Sequence, residues 1–318
     1  MSHFKTPLRY PGGKQRLAPF ILELLIANDG IDGHYVEPYA GGAGVALELL
    51  LGNQVSRIHL NDSSTPIYAF WSLVISQPEE LCRRISRASL TVDEWKKRRK
   101  IVHSPSDYDD LEIGFSAFYL NRCNHSGILS GGLIGGLGQV GKWKMDARFP
   151  RNDLIRRIEA IAQKRELISL SNWDAEKFIL EYIPKLPAKT FVYCDPPYFE
   201  KSNRLYLNRY EKKDHARIAN VIQKQLRRKW VVSYDDAAEI LKYYGRRMAF
   251  QYKLQYNASR VYKGKEVFIF SDDLKVPTSS SLPYIDEAIS QYTKALNSKQ
   301  ITRNRKQQRT NKAVMKAA

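Results

Sequence analysis

The tetrapeptide Asp195-Pro196-Pro197-Tyr198 follows the apolar run Phe191-Val192-Tyr193-Cys194, so a carboxylate is expected at the carboxyl end of a buried strand. Open α/β sheets form their ligand sites there. The double proline fixes φ and removes two backbone donors, which presents the Asp195 side chain and the Pro196 carbonyl rigidly. Two acceptors of that kind suit an amine attached to an aromatic ring, such as N6 of adenine. The amine's lone pair is delocalised and poorly nucleophilic; acceptors aimed at its hydrogens localise the pair toward an electrophile. Tyr198 offers a flat face for a base taken out of its stack. Stacking of that kind contributes roughly 1–3 kcal/mol, comparable with the cost of extruding a base. The plainer alternative is a strand-ending Pro-Pro turn with a surface aspartate.

Further residues with chemical potential lie upstream. Glu37-Pro38-Tyr39-Ala40-Gly41-Gly42-Ala43-Gly44 follows a strand and opens a helix. Glycines there let a ligand approach the backbone, and the helix N-terminus favours a carboxylate or phosphate. Asp62 ends the next strand, where an acid can bind ribose hydroxyls; its other reading is a cap before Thr65-Pro66. The elements that must position these groups are apolar β-rich runs at 35–36, 57–60, 190–194, 230–233 and 266–270. They lie among helical patterns at 15–27, 43–51, 67–75, 176–183, 214–228 and 237–244. Strands alternating with helices predict a parallel α/β sheet covered on both faces. Residues 77–165 interrupt the alternation with a basic helix near 94–102 and a Gly-rich stretch, 127–141. That stretch reads as turns and a β-hairpin in an inserted second domain.

The chain resembles the Dam-type (D12 class) DNA adenine-N6 methyltransferases over residues 8–271. Arg9-Tyr10-Pro11-Gly12-Gly13-Lys14 is similar to the family's N-terminal cofactor motif, which implies contacts from Tyr10 and Lys14 to S-adenosylmethionine. Residues 36–44 resemble the glycine-rich cofactor loop, implying roles for Glu37, Tyr39, Ala40, Gly41, Gly42 and Gly44. Asp62 matches the ribose-binding acid, and Asp174 of Asn172-Trp173-Asp174 the acid that binds the cofactor's adenine. Asp195 to Tyr198 matches the catalytic motif (Asp195, Pro196, Pro197, Tyr198), whose Asp also approaches the cofactor. The resemblance implies a Rossmann-like methyltransferase fold with a mixed, mostly parallel sheet and an inserted, mainly helical target-recognition domain. The implied domains are a catalytic unit of 1–76 with 166–275, a recognition unit of 77–165, and a linker with a tail, 276–318. The glycine loop departs from the common family spacing by one residue at 39–44. In the insert, Leu120-Asn121-Arg122 resembles the start of the recognition segment. Ser130 stands where the best-known GATC enzymes carry a guanine-reading Arg, so methylation at GATC is not implied.

The net charge of +18 over 318 residues favours a polyanionic partner, with nucleic acid ahead of a membrane. Lys97 and Arg98 on the basic helix are candidates for phosphate contacts. Asn121, Arg122, His125, Ser130, Lys142 and Lys144 are candidates around the expected hairpin, where a two-stranded ribbon can enter the major groove. The bland reading of both groups is an ordinary charged surface. Residues 296–318 hold seven Lys/Arg and no acid, which reads as a disordered basic tail. Three cysteines without a CxxC pair give neither a disulfide framework nor a metal site and fit a reducing cytoplasm. No signal-like or membrane-length apolar run occurs. The expectation is therefore a cytoplasmic, nucleoid-associated bacterial enzyme. It would act as a monomer or weak dimer on double-stranded DNA, with a cognate restriction or defence component as a further partner. Cytosine C5 methylation would need a Pro-Cys nucleophile, which is absent. Cytosine N4 methylation goes more often with Ser at position 195. RNA methylation and a noncatalytic DNA-binding module are the remaining alternatives.

Overall fold

The computed structural model describes residues 5–10, 14–200, 210–245, 247–257 and 261–277. Its seven strands are β1 (His34–Glu37), β2 (Arg57–Asn61), β3 (Ile168–Ser171), β4 (Thr190–Cys194), β5 (Lys229–Asp235), β6 (Ala249–Asn257) and β7 (Val261–Phe270). They form one sheet in the order β3-β2-β1-β4-β5-β7-β6. Strands β1 to β5 run parallel to one another, while β7 is antiparallel to both β5 and β6. This is the expected mixed, mostly parallel sheet. The five anticipated strands are present; β3 and β6 are additional.

Every residue of β4 is buried, because successive side chains enter different apolar layers. Tyr35, Phe191, Tyr193 and Val231 face one layer with helices α1 (Ala18–Ala27), α2 (Gly44–Leu51) and α3 (Thr65–Ser76). Val36, Val192, Cys194 and Val232 face the other. That second layer is covered by α8 (Ala175–Lys177), which runs into the π turn Phe178–Tyr182, and by α9 (Lys212–Gln225) and α10 (Ala238–Tyr244). Among the described residues no helix is long and apolar enough to cross a membrane. The expected basic tail lies outside the described residues.

The stretch between α3 and β3 is mainly helical. It contains α4 (Pro78–Arg87), α5 (Val92–His103), α6 (Asp110–Cys123) and α7 (Arg151–Ala162). The Thr91 and Asp109 side chains start α5 and α6 by accepting the Glu94 and Glu112 amides. These helices share the core of the sheet: Leu81, Ile85, Trp95, Phe118 and Leu154 belong to one apolar cluster with Phe20 and Tyr35. Phe118 stacks on Phe70 of α3 at 5.7 Å. At Gly114 a Cβ would come within 2.7 Å of the Ala69 backbone, so only glycine lets α6 and α3 cross this closely.

Two expectations for this region need correction. Arg98 is not a surface cation: it is 7% exposed and donates to Glu94 and Glu112 at 2.6 Å, with its guanidinium 4.7 Å from the Phe115 ring centroid. Lys97 beside it is exposed. The expected hairpin is also replaced by turns, with a single antiparallel bridge joining Asn124 and Leu133. Side-chain amides consume the carbonyls that a ladder would use. Asn124 donates to Ile128 and Leu129, and Gln139 donates to Ile134 and Gly136. Gly127, Gly135 and Gly136 have positive φ, which also interrupts extended pairing.

Glu37 fastens β1 to α2. Its Oε1 accepts from the Ala46 amide at 3.1 Å and from the Tyr35 hydroxyl at 3.2 Å. Burial, reinforced by the nearby Asp195 charge, pushes its pKa up from 4.5 to about 8 despite those two bonds. A carboxyl raised on folding contributes stability that is complete below its ordinary pKa and lost as pH climbs through the folded value. Glu37→Gln should therefore match the wild-type melting temperature near pH 4 and exceed it above pH 8. Equal melting temperatures across that range would refute the assignment. In urea unfolding, Arg98→Ala should cost about 1–3 kcal/mol by removing the cation that pairs with Glu94 and one of the two that hold Glu112, whereas Lys97→Ala should stay within roughly 0.5 kcal/mol.

Candidate active site

The turn Asp195-Pro196-Pro197-Tyr198 leaves β4 between its neighbours β1 and β5. Asp195 Oδ1 accepts from the Ser233 hydroxyl of β5 at 2.6 Å and from Lys14 Nζ at 2.9 Å. Lys14 Nζ also donates to Glu266 Oε2 of β7 at 2.7 Å and to Ser233 Oγ at 3.1 Å, so its three protons have three acceptors. The Tyr193 hydroxyl lies 2.8 Å from Ser233 Oγ, and Tyr252 donates to Glu266. Burial opposes the Lys14 charge, but Asp195 and Glu266 outweigh it and raise its pKa. Burial raises the Asp195 pKa, and Lys14 and Ser233 pull it back. Among the described residues, nothing donates a hydrogen bond to Asp195 Oδ2 or to the Pro196 carbonyl. Two acceptors are thus left unpaired beside a firmly held carboxylate.

Tyr198 differs from expectation. It is 1% exposed; its hydroxyl donates to Glu266 Oε1 at 2.7 Å, and Lys14 Nζ lies 5.4 Å from its ring centroid. The ring is buried with its hydroxyl tied into the polar cluster, because a buried phenol takes the partner that satisfies its hydroxyl. Pro196 and Pro197 are buried. Downstream, both oxygens of Asp235 accept backbone amides, Phe199 and Glu200, each at 2.8 Å. Asp235 thereby anchors the chain as it leaves the turn.

The glycine loop lies at the carboxyl end of β1. Gly41 has φ +47°, and a Cβ there would be 2.6 Å from the Tyr10 ring; Gly42 borders the same ring, and Gly44 borders Gln15. The close approach that these glycines permit is therefore to Tyr10 and Gln15 of the chain itself. Asp62 Oδ2 accepts the Gly41 amide at 2.8 Å and Oδ1 the Ser64 amide at 2.9 Å. Burial raises its pKa to about 6. Each carboxylate oxygen has a second lone-pair site, so capping and acceptance of ligand hydroxyls are compatible. Buried Asn61, to which the sequence reading gave no role, ties the loop to β3: it donates to the Pro38 and Trp173 carbonyls and accepts from Ser171 and the Trp173 amide. Ala40 donates its amide to the Asn61 carbonyl, and the Tyr39 hydroxyl meets that of Tyr210 at 3.0 Å. Exposed Asp174 caps α8 through Oδ1. The turn, the glycine loop and Asp62 thus share one edge of the sheet, with Tyr10 near both Asp62 and Asp195.

The residues expected to touch DNA divide into two sets. His125, Ser130, Lys142 and Lys144 are exposed. Asn121 is fully buried, with its Oδ1 accepting the Arg9 amide and its Nδ2 donating to the Arg9 and Gly127 carbonyls. Arg122 is 7% exposed and donates to the Arg148 and Pro7 carbonyls. Neither can read a base edge as placed; both brace the N-terminal segment. The same loop exposes Leu137, Val140 and Trp143, visible in sequence as apolar residues within a glycine-rich stretch.

Residues 10–258 match the model of the D12 class N6 adenine-specific DNA methyltransferase family. The chain is similar to the Type II methyltransferase M.MjaIII of Methanocaldococcus jannaschii, with 23% identity over 223 residues, covering 66% of this chain and 74% of the relative. With the match spanning both the glycine loop and the catalytic turn, the chain belongs to the D12 class N6 adenine-specific DNA methyltransferases.

Proposed function

We propose that the chain transfers a methyl group from S-adenosylmethionine to N6 of an adenine flipped out of double-stranded DNA, with Asp195 and the Pro196 carbonyl as the two acceptors of the amine hydrogens. The observation that carries this reading is the asymmetric use of the Asp195 carboxylate: Oδ1 is held by Ser233 and Lys14, while Oδ2 has no donor among the described residues. The cofactor would be held along the adjoining edge by Tyr10, the 37–44 loop, Asp62 and Asp174. Its fit rests on the positive φ of Gly41, the α2 N-terminus behind it, and the spare lone pairs of Asp62. When bound, S-adenosylmethionine supplies an electrophilic sulfonium methyl.

Asp195 Oδ2 and the Pro196 carbonyl draw the two N6 hydrogens into fixed directions, which turns the nitrogen lone pair toward the methyl carbon. With the amine so held by Asp195 and Pro196, N6 would form the new C–N bond as the C–S electron pair departs with the sulfur. No strong base is needed for this step, because the leaving group is neutral; the amine loses its extra proton afterwards. Lys14 keeps Asp195 an acceptor by holding negative charge on it. We further propose that residues 77–165 read the target sequence from their exposed loop, residues 125–144. The Type II name of the archaeal relative supports a setting in restriction-modification.

Tritium transfer from labelled S-adenosylmethionine to DNA should fall by on the order of 10²–10³-fold or more in Asp195→Ala; wild-type rates in that variant would overturn its role. S-adenosylmethionine should raise the wild-type melting temperature, and Asp62→Ala should lose most of that shift. No shift in the wild type would contradict the cofactor assignment.

A further inference from the structure

Four arginines converge where the N-terminal segment meets the base of the exposed loop. Arg122 lies lowest, with Nε 2.6 Å from the Arg148 carbonyl and Nη1 3.4 Å from the Pro7 carbonyl. Arg157 donates to the Thr6 carbonyl at 2.8 Å, and half-buried Arg9 donates to the Asn124 carbonyl at 2.9 Å. Arg148 ends the turn Met145–Arg148 and is exposed. Asp153 pairs with Arg157 at 2.6 Å. Among the described residues no carboxylate pairs with Arg9, Arg122 or Arg148.

The carbonyls that accept from Arg9 and Arg122 do not cancel the charge of these side chains. Burial, and after it the charge of Arg148, lowers the Arg9 pKa to about 10; burial, followed by Arg9 and Arg157, lowers that of Arg122 to about 9. Concentrating unpaired cations in a partly desolvated place is unfavourable, and an anion entering at Arg148 would offset it. The location narrows the anion's source. Arg9 precedes Tyr10, whose ring lies on Gly41 and Gly42, and its carbonyl would sit 2.3 Å from a Cβ on Gly127. Arg148 follows the exposed Lys142, Trp143 and Lys144. The cluster thus occupies the seam between the cofactor loop and the exposed loop.

We propose that Arg9, Arg122 and Arg148 form a binding site for one phosphate of the DNA backbone, with Arg148 at its mouth and Arg122 supplying charge from beneath. The proposal rests on DNA being the substrate. A phosphate held there would set the register of the duplex without reading its sequence.

The test is the salt dependence of binding to a mixed-sequence duplex, followed by fluorescence anisotropy on the full chain. Among the described residues the Arg148 side chain makes no hydrogen bond or ion pair, so Arg148→Ala should keep the wild-type melting temperature. Its log–log salt slope should shrink by about 0.9, the value for one lost phosphate contact on duplex DNA. Lys164→Ala, a lysine bonded to Asn53 away from the cluster, should leave the slope unchanged. An unaltered slope in Arg148→Ala, or an equal drop in Lys164→Ala, would overturn the site. A loss of S-adenosylmethionine affinity in Arg148→Ala with the DNA slope intact would reassign the anion to the cofactor carboxylate and overturn it as well. Wild-type methyl transfer is measured in parallel. If the wild type transfers no methyl group, the functional reading fails; if it does and the slope is unaltered, only the phosphate site fails.

Discussion

The ammonium of Lys14 is the one charge on which the catalytic edge depends. Two carboxylates, Asp195 and Glu266, stand close together in a place where Glu266 is fully buried. Without a cation between them, one would have to take up a proton. Lys14 reaches them from the N-terminal segment, far from either in sequence, and Ser233 completes its coordination. Strands β4, β5 and β7 and the N-terminal segment are thereby fixed against one another by a single nitrogen. The stability of this centre and its chemistry are not separable, because the atom that balances the charge also decides which Asp195 oxygen remains available.

Around that centre the loops are held mostly by side chains binding backbone. Asp62 holds Gly41, Asn61 holds Pro38 and Trp173, and Asp235 holds Phe199 and Glu200. Each is a short polar residue at a strand end. Its backbone is set by the sheet ladder and its side chain has few rotamers, so little conformational freedom is spent in placing the loop. Loops of this kind can carry functional groups with the accuracy of the strands beneath them.

The sequence made the centre of the sheet legible and its borders much less so. β1, β2, β4, β5 and β7 carry apolar runs because helices cover both faces. β3 is an edge strand with only Ile168 buried, and Ile168-Ser169-Leu170-Ser171 carries too little apolar signal. β6 alternates Phe250, Tyr252, Leu254 and Tyr256 with Gln251, Lys253 and Gln255; a search for continuous apolar runs passes over it. The catalytic turn and glycine loop were visible from local composition together with the family likeness. The long-range polar partners were not: the ion pairs of Arg98 with Glu112 and Lys14 with Glu266, and the hydrogen bonds of the Asn121 amide to the Arg9 backbone, bring together separate segments. Each of these three cations or amides looks, in isolation, like a group meant for a ligand.

The unbroken core beneath the insert also limits how specificity can diverge in this architecture. Phe118 on Phe70, and Gly114 against Ala69, make α3 and α6 parts of one another's surface. The helices between α3 and β3 are not a cassette that can be lifted out and exchanged for another, because they share the apolar cluster that lies on one face of the sheet. Variation is cheapest at Gly132, where an added Cβ would meet nothing within 4 Å; Gly136 is as open, but its φ of +67° strains any side chain placed there. Substitution and length change are accommodated at that rim, while the helices that carry it remain committed to the fold.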